Sequence, residues 1–276
     1  MSQWRRALEA FGVGFRLETN RPELLAPLLS DLPPSVTVDD DRPRTTFRLD
    51  FDHAGRPESL LVDGRPHSLD LPADSPLDWQ FDAVVTLHVA EQSPFVFVHA
   101  GVVRYRQRAI LFPGRSFAGK STLTAALLSA GAEYLSDDFA VLDDSGLVHP
   151  FHCPLRLRTS AGRLEKLPAD FGAASAEDPT PVGLIVDTQY SPGANFDPRR
   201  LTPGETVLRM FAHAVAARSA PARVGSVLAR VARNAACLTG PRGDAAEAAR
   251  QILNFCDQLY GSPSFIQSCE TISCCP

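Results

Sequence analysis

The sequence predicts an α/β fold: a phosphate-loop core on a mixed sheet, closed by C-terminal helices and preceded by a small α+β region. Three observations predict it. Residues 114–121 read G-R-S-F-A-G-K-S, a complete G-x-x-x-x-G-K-[ST] loop. It lies between a strand-like run (108–112) and a helix-like run (122–130), the context that the motif needs. The β-rich segment 95–105 precedes the loop strand by only Arg106 and Gln107, so a hairpin feeds the loop. From Pro203 to Tyr260 the apolar residues recur at helical spacing.

The chain has 276 residues, 44% of them hydrophobic, enough for one large domain or a core with appendages. Residues 1–90 are the expected accessory region. A strand is expected at 13–18, then a short helix and turns over the Pro- and Leu-rich 20–35. Strands follow at 35–38, 45–51, 59–62 and 67–71. They are broken at Asp40-Asp41-Arg42-Pro43, at Ala54-Gly55-Arg56-Pro57 and at Asp63-Gly64, the last a two-residue hairpin signal. A small antiparallel sheet is the simplest assembly. Residues 78–90 put Trp79, Phe81, Val84, Val85, Leu87 and Val89 at helical spacing. The β-branched residues leave a strand open, but a helix is the expectation.

The core is expected over 91–202. Gly101 is a candidate bulge in the first hairpin strand, and Gly131 is a good stop for the helix after the loop. Residues 133–135 lead into Ser136-Asp137-Asp138, followed by strands at 139–142 and 147–151 around the turn Asp143-Asp144-Ser145-Gly146. Residues 182–187, V-G-L-I-V-D, form a nearly uniform apolar run, as in a buried central strand. The last part, 203–260, is read as helical. One helix starts at Pro203-Gly204-Glu205 with Val207, Leu208, Met210, Phe211, Ala214 and Val215 on its apolar face, and two more cover 221–232 and 244–259. Residues 261–276 carry Cys269, Cys274 and Cys275 in a spacing that matches no familiar zinc site, and a flexible tail is expected. Cys153, Cys237 and Cys256 are isolated, as reduced structural thiols are.

The chemistry begins at the loop. Its glycines let backbone N–H groups close around phosphate oxygens, and the helix N-terminus adds partial positive charge. The nucleotide-binding candidates are Gly114, Arg115, Ser116, Phe117, Ala118, Gly119, Lys120, Ser121 and Thr122. Lys120 would reach the outer phosphates and the Ser121 hydroxyl would sit on Mg²⁺. Asp137 and Asp138 follow Lys120 by seventeen and eighteen positions. A helix of about ten residues travels roughly 15 Å from the loop, and a strand of four or five residues returns about the same distance. Both acids therefore arrive level with the phosphate site. A regular strand would turn only one of them toward a nucleotide; a turn or bulge would free both. Asp187 ends its apolar run as a Walker B carboxylate does, and competes as the metal ligand. His99 lies on the strand that pairs the loop strand. Arg156 and Arg158 share one face of a strand, and paired guanidinium groups suit phosphate or carboxylate recognition, so both are substrate-binding candidates.

V-H-A-G-V-V (98–103), G-R-S-F-A-G-K-S-T-L (114–123) and Y-L-S-D-D-F-A-V-L (134–142) together resemble the HPr kinase/phosphorylase superfamily. H-P-F-H-C-P-L-R-L-R (149–158) is similar to the family's kinase-like relatives, some of which modify peptide precursors. The resemblance implies a P-loop kinase core related to phosphoenolpyruvate carboxykinase, ATP with Mg²⁺, and phosphorylation of a serine hydroxyl. It implies that Lys120 binds phosphate, that Ser121 binds metal, and that His99 is the family's histidine before the loop. Asp137 and Asp138 match its acidic pair, with Asp137 the expected base and Asp138 on the metal side. Two features depart from the family. Phe117-Ala118 stand where a second loop glycine is usual, and the L-E-I-R-G segment has no clean counterpart. HPr as acceptor and a reverse reaction with inorganic phosphate are therefore not expected.

The expected function is an ATP-dependent kinase acting on a serine of a protein or peptide. A small-molecule kinase and a non-catalytic ATP-binding module are the alternatives. The net charge of −5 offers no overall basic field for nucleic acid or an anionic membrane. No run of about 18 apolar residues is present, and no signal-peptide stretch opens the chain, so a cytoplasmic protein is expected. The resemblance also implies self-association.

Overall fold

The structure is a computed structural model that describes residues 4–39, 44–67, 76–114, 118–159 and 162–260, with backbone alone at 158, 159, 162 and 163. It is a mixed α/β molecule. The N-terminal part contains β1 (Trp4–Ala10), β2 (Val13–Thr19), the short α1 (Pro22–Leu25), β3 (Val36–Thr37), β4 (Thr45–Phe51), β5 (Pro57–Val62), β6 (Arg65–Pro66) and α2 (Leu77–Gln92). The sheet order is β3-β1-β2-β4-β5-β6. Period-two burial builds it: Val13, Phe15, Leu17 and Thr19 point inward from β2, and Phe47, Leu49 and Phe51 from β4.

Several expectations change here. The sheet is mixed, because β2 and β4 run parallel across the connection that carries α1. Strand β1 was not expected; its polar W-R-R start hides the inward Leu8 and Ala10. The Asp63-Gly64 hairpin forms, with both residues at positive φ (50° and 74°), but its second strand is Arg65–Pro66. The expected strand 67–71 lies mostly outside the described residues. Residues 78–90 are helical, and α2 runs across residue 90. Its Phe81, Val85 and Val89 join one core with Phe15, Phe47 and Leu49 of the N-terminal sheet and with Phe97, Phe139 and Phe151 beyond it.

The second part contains β7 (Val96–Tyr105), β8 (Arg108–Pro113), α3 (Lys120–Ser129), β9 (Glu133–Ser136), β10 (Phe139–Leu142), β11 (Leu147–His149), β12 (Leu155–Thr159), β13 (Gly162–Lys166), β14 (Thr180–Tyr190), β15 (Arg199–Arg200), α4 (Pro203–Phe211), α5 (Pro221–Asn234), β16 (Ala236–Arg242) and α6 (Ala245–Tyr260). The sheet order is β11-β10-β7-β8-β14-β16-β15, with β9 also on β7. As expected, β7 and β8 form a hairpin into the loop; Arg106 and Gln107 turn it at φ 47° and 59°. Strand β14 is parallel to both β8 and β16.

Alternation assigns the two faces. Ile110, Phe112, Leu184, Val186 and Leu238 pack under α3 and α6, with Leu127 and Ile252. Leu111, Ile185 and Cys237 pack under α4 and α5, with Met210 and Leu228. Helix α3 ends as expected at Gly131, where Gly131 N–H donates to the Leu128 carbonyl and Ala132 N–H to that of Leu127, the paired bonds of a Schellman cap.

The reading of 203–260 as helical is corrected twice. Ala236–Arg242 is a strand, held between β14 and β15. Helix α4 stops at Phe211, short of Ala214 and Val215, because the chain there pairs with β7: His99 N–H donates to the His213 carbonyl, and Ala214 bridges Val98.

Candidate active site

Strand β8 delivers Gly114, and α3 begins at Lys120 behind Gly119, whose left-handed conformation (φ 80°) turns the chain into the helix. Arg115, Ser116 and Phe117 lie outside the described residues; Ala118 and Thr122 flank the turn. The Lys120 ammonium donates to the Gly114 carbonyl at 3.0 Å, so the lysine already lies across the mouth of the loop. Burial lowers its pKa, while Asp137 and Asp138 oppose the shift.

The two acids do arrive at the loop, and a turn frees both. Strand β9 stops at Ser136 and β10 starts at Phe139, and each pairs with β7. The buried Ser136 hydroxyl accepts from the Asp138 and Phe139 N–H groups at 3.3 and 3.1 Å, which bends the chain between the strands. The consequence is two environments. Asp137 is buried under the start of α3, where the Thr124 hydroxyl donates to it at 2.7 Å and the nearby Ser121 hydroxyl favours its charged form. Burial, then the neighbouring Asp138, pushes its pKa up to about 7, against these hydroxyls and Lys120. Asp138 is only half-buried, and the Cys153 thiol donates to it at 3.5 Å.

His99 projects beside this pair. Its ring lies 4.5 Å from that of Phe139, its register partner on β10. Part of the ring meets solvent, yet the surrounding protein lowers its pKa, with Lys120 as the next cause. A surface cleft of about 540 Å³ adjoins it, lined by Leu87 and Glu91 of α2 and by His213 and Val215 after α4.

Two expected site residues have other surroundings. Asp187 points to the α4 face, where Arg209 and the Thr239 hydroxyl hold it, the latter at 2.9 Å. The cause is a register shift between Val182 and Leu184, which reverses the parity of the strand before Asp187. Its place as a metal ligand is withdrawn. Arg156 is committed to Asp31 at 2.8 Å, Asp82 at 3.4 Å and Glu165 at 3.5 Å. It therefore ties β12 to the N-terminal part rather than offering a guanidinium to a substrate. The Arg158 side chain lies outside the described residues.

Sequence reasoning missed three contributors. Thr124 is one helical turn beyond Ser121, and that spacing could have found it. Cys153 comes from a loop with no local signal. Arg242, fully buried at the end of β16, donates to the Gly119 carbonyl at 2.7 Å. It was hidden because its strand was read as helix.

Asp137 with the Ser121 and Thr124 hydroxyls is an oxygen-only set, the kind Mg²⁺ takes. Among the described residues no group of three or more His, Cys, Asp or Glu is arranged to hold a metal. A magnesium ion would therefore draw most of its ligands from phosphate oxygens and water, which is its habit at nucleotide sites. Among the described residues no helix is long and apolar enough to cross a membrane. Compared with known protein families and with curated proteins, the chain matches none.

Proposed function

We propose that this protein is a kinase of the HPr kinase-like type, a P-loop core that transfers the γ-phosphoryl group of ATP to a serine hydroxyl of a protein or peptide. One observation carries the reading. A complete phosphate loop starts its helix with Lys120 and Ser121, and two acids with different environments stand directly beside them. A turn that merely reversed the chain would have no use for a carboxylate buried beneath the loop serine.

The geometry supports a division of labour opposite to that drawn from the resemblance. Asp137, beside the loop serine and sealed from solvent, suits the metal side; bound Mg²⁺ would supply charge neutralisation between the phosphates. Asp138, half-open and beside His99, suits the base. In the transfer, the serine oxygen forms a bond to the γ-phosphorus as its proton passes to Asp138. The bond from that phosphorus to the β-bridging oxygen breaks, and its electron pair leaves with ADP. Lys120 holds the outer phosphates, and His99 borders the acceptor's approach. Positioning and charge stabilisation supply most of the acceleration.

The test is transfer of labelled γ-phosphate from ATP to peptide and protein pools. Lys120→Ala and Asp138→Asn should each retain the fold and lose transfer by about a hundredfold or more, the range set by losing general-base or charge-stabilising groups. Wild-type transfer by Lys120→Ala would refute the site. Transfer confined to a metabolite pool would move the acceptor to a small molecule.

A further inference from the structure

The acids lie on one side of the loop strand in the sheet order, the side where β7 pairs β8 and β10 follows beyond β7. On the other side, at the ends of β14 and β16, is a cavity of about 820 Å³. Its wall includes Gly119 and Thr122 of the loop and helix start, Tyr190 at the end of β14, Asn195 in the next connection, Arg242, and Gln251 of α6. The volume is that of a small-molecule site. A triphosphate whose outer end faces Asp138 must send its α-phosphate and nucleoside the other way, past Gly119 and Thr122, and this cavity is what it meets.

The lining has the matching chemistry. Tyr190 is 53% exposed and presents a ring face, with the Arg242 guanidinium carbon 5.9 Å from its centroid. Asn195 carries both a donor and an acceptor. At the start of α6, Asp244 accepts from the Glu247 N–H at 2.9 Å, and Glu247 is held by Arg250 and by the Gln251 amide at 2.8 Å, which leaves the second Asp244 oxygen on the cavity wall. Arg242 joins the cavity wall to the loop. It is 2% exposed, it spends its Nη groups on the Gly119 and Gly243 carbonyls at 2.7 and 3.3 Å, and its buried Nε has no hydrogen-bond partner. A buried donor left unmade is costly in a folded protein. Gly119 is built around this arginine, since a Cβ there would lie 2.5 Å from its Nη2.

We propose that the cavity between β14, β16 and α6 binds the nucleoside half of a nucleoside triphosphate, with Tyr190 stacking on the base and Arg242 positioning the loop through Gly119. The assignment rests on the reading of residues 114–121 as the phosphate site. It is tested by calorimetric binding of Mg·ATP and of inorganic tripolyphosphate with Mg²⁺ to the full chain and to Tyr190→Ala and Asn195→Ala. Tyr190 and Asn195 line the cavity surface, so two variants guard against one failing to fold. The wild type should bind ATP about tenfold or more tighter than tripolyphosphate; Tyr190→Ala should lose about tenfold for ATP and nothing for tripolyphosphate, the scale of one base–aromatic stack. Equal wild-type affinity for the two probes, or variants that bind ATP as the wild type does, would overturn the cavity assignment while leaving the loop reading intact. A wild type that binds neither probe would overturn both.

Discussion

Asp137 is a carboxyl that the fold keeps at a cost. Its pKa is raised from about 3.8 to about 7, chiefly by burial and then by Asp138. Between these values the folded chain holds a proton that the unfolded chain has released, so stability falls as pH rises from about 4 to 7 and levels off above. Asp137→Asn keeps an oxygen for the Ser121 and Thr124 hydroxyls and removes the buried charge. It should be more stable than wild type by roughly 1–4 kcal/mol at pH 8, with the gain shrinking toward pH 4, since each pKa unit is worth about 1.4 kcal/mol. Urea denaturation across that range checks it; equal stability at pH 8 would show that Asp137 is not strained by its charge. The same variant should lose transfer, because the strain belongs to a working acid. The sequence spacing placed both acids at the loop. Which one faced the helix and which the solvent was set by the Ser136 hydroxyl, which no periodicity reveals.

At the scale of elements, the β7–β8 hairpin is the piece that aims the loop. Gly101 is not a bulge within it: it pairs Phe112 in register, and a Cβ at Gly101 would come 2.1 Å from the Phe112 ring. The glycine is a seat for that ring, which packs under α3. Gly101→Ala should therefore displace Phe112 and cost about 1–3 kcal/mol, as overpacking does. Thermal and urea unfolding measure the loss, and wild-type stability would mean that the ring moves aside freely. The hairpin, α3 and α2 were legible because their patterns are long and locally consistent. Strand β16 was not: A-C-L-T-G-P-R is too short to alternate clearly, and its flanking helices dominated the window. Its Gly240 and Pro241 were the available signal against a helix.

Across the whole molecule, the N-terminal sheet is packed into the same core as β7 and β10, and Arg156 is a polar tie between the two parts. Burial works against its charge, but Asp82 and Asp31 more than restore it and raise its pKa. Burial in turn pushes Asp82 up to about 7 despite Arg156, because Asp138 and Asp31 crowd it. Arg156→Met would leave those acids without their cation, and should cost about 1–3 kcal/mol, discounted from a fully buried pair for partial exposure. Hydrogen exchange should show β4 amides opening before those of β8; uniform protection in the variant would refute the tie.

The sequence by itself determined the mixed α/β class, the loop and its helix, and the arrival of two acids beside it, because these follow from spacings within some forty residues of one chain segment. Tertiary structure decided the rest. The Val182–Leu184 register shift turned Asp187 away, the N-terminal acids claimed Arg156, and β16 brought Arg242 to Gly119 from 123 positions along the chain. Such choices depend on strand parity and on which distant charge is nearest, and those quantities exist only once the sheet has assembled.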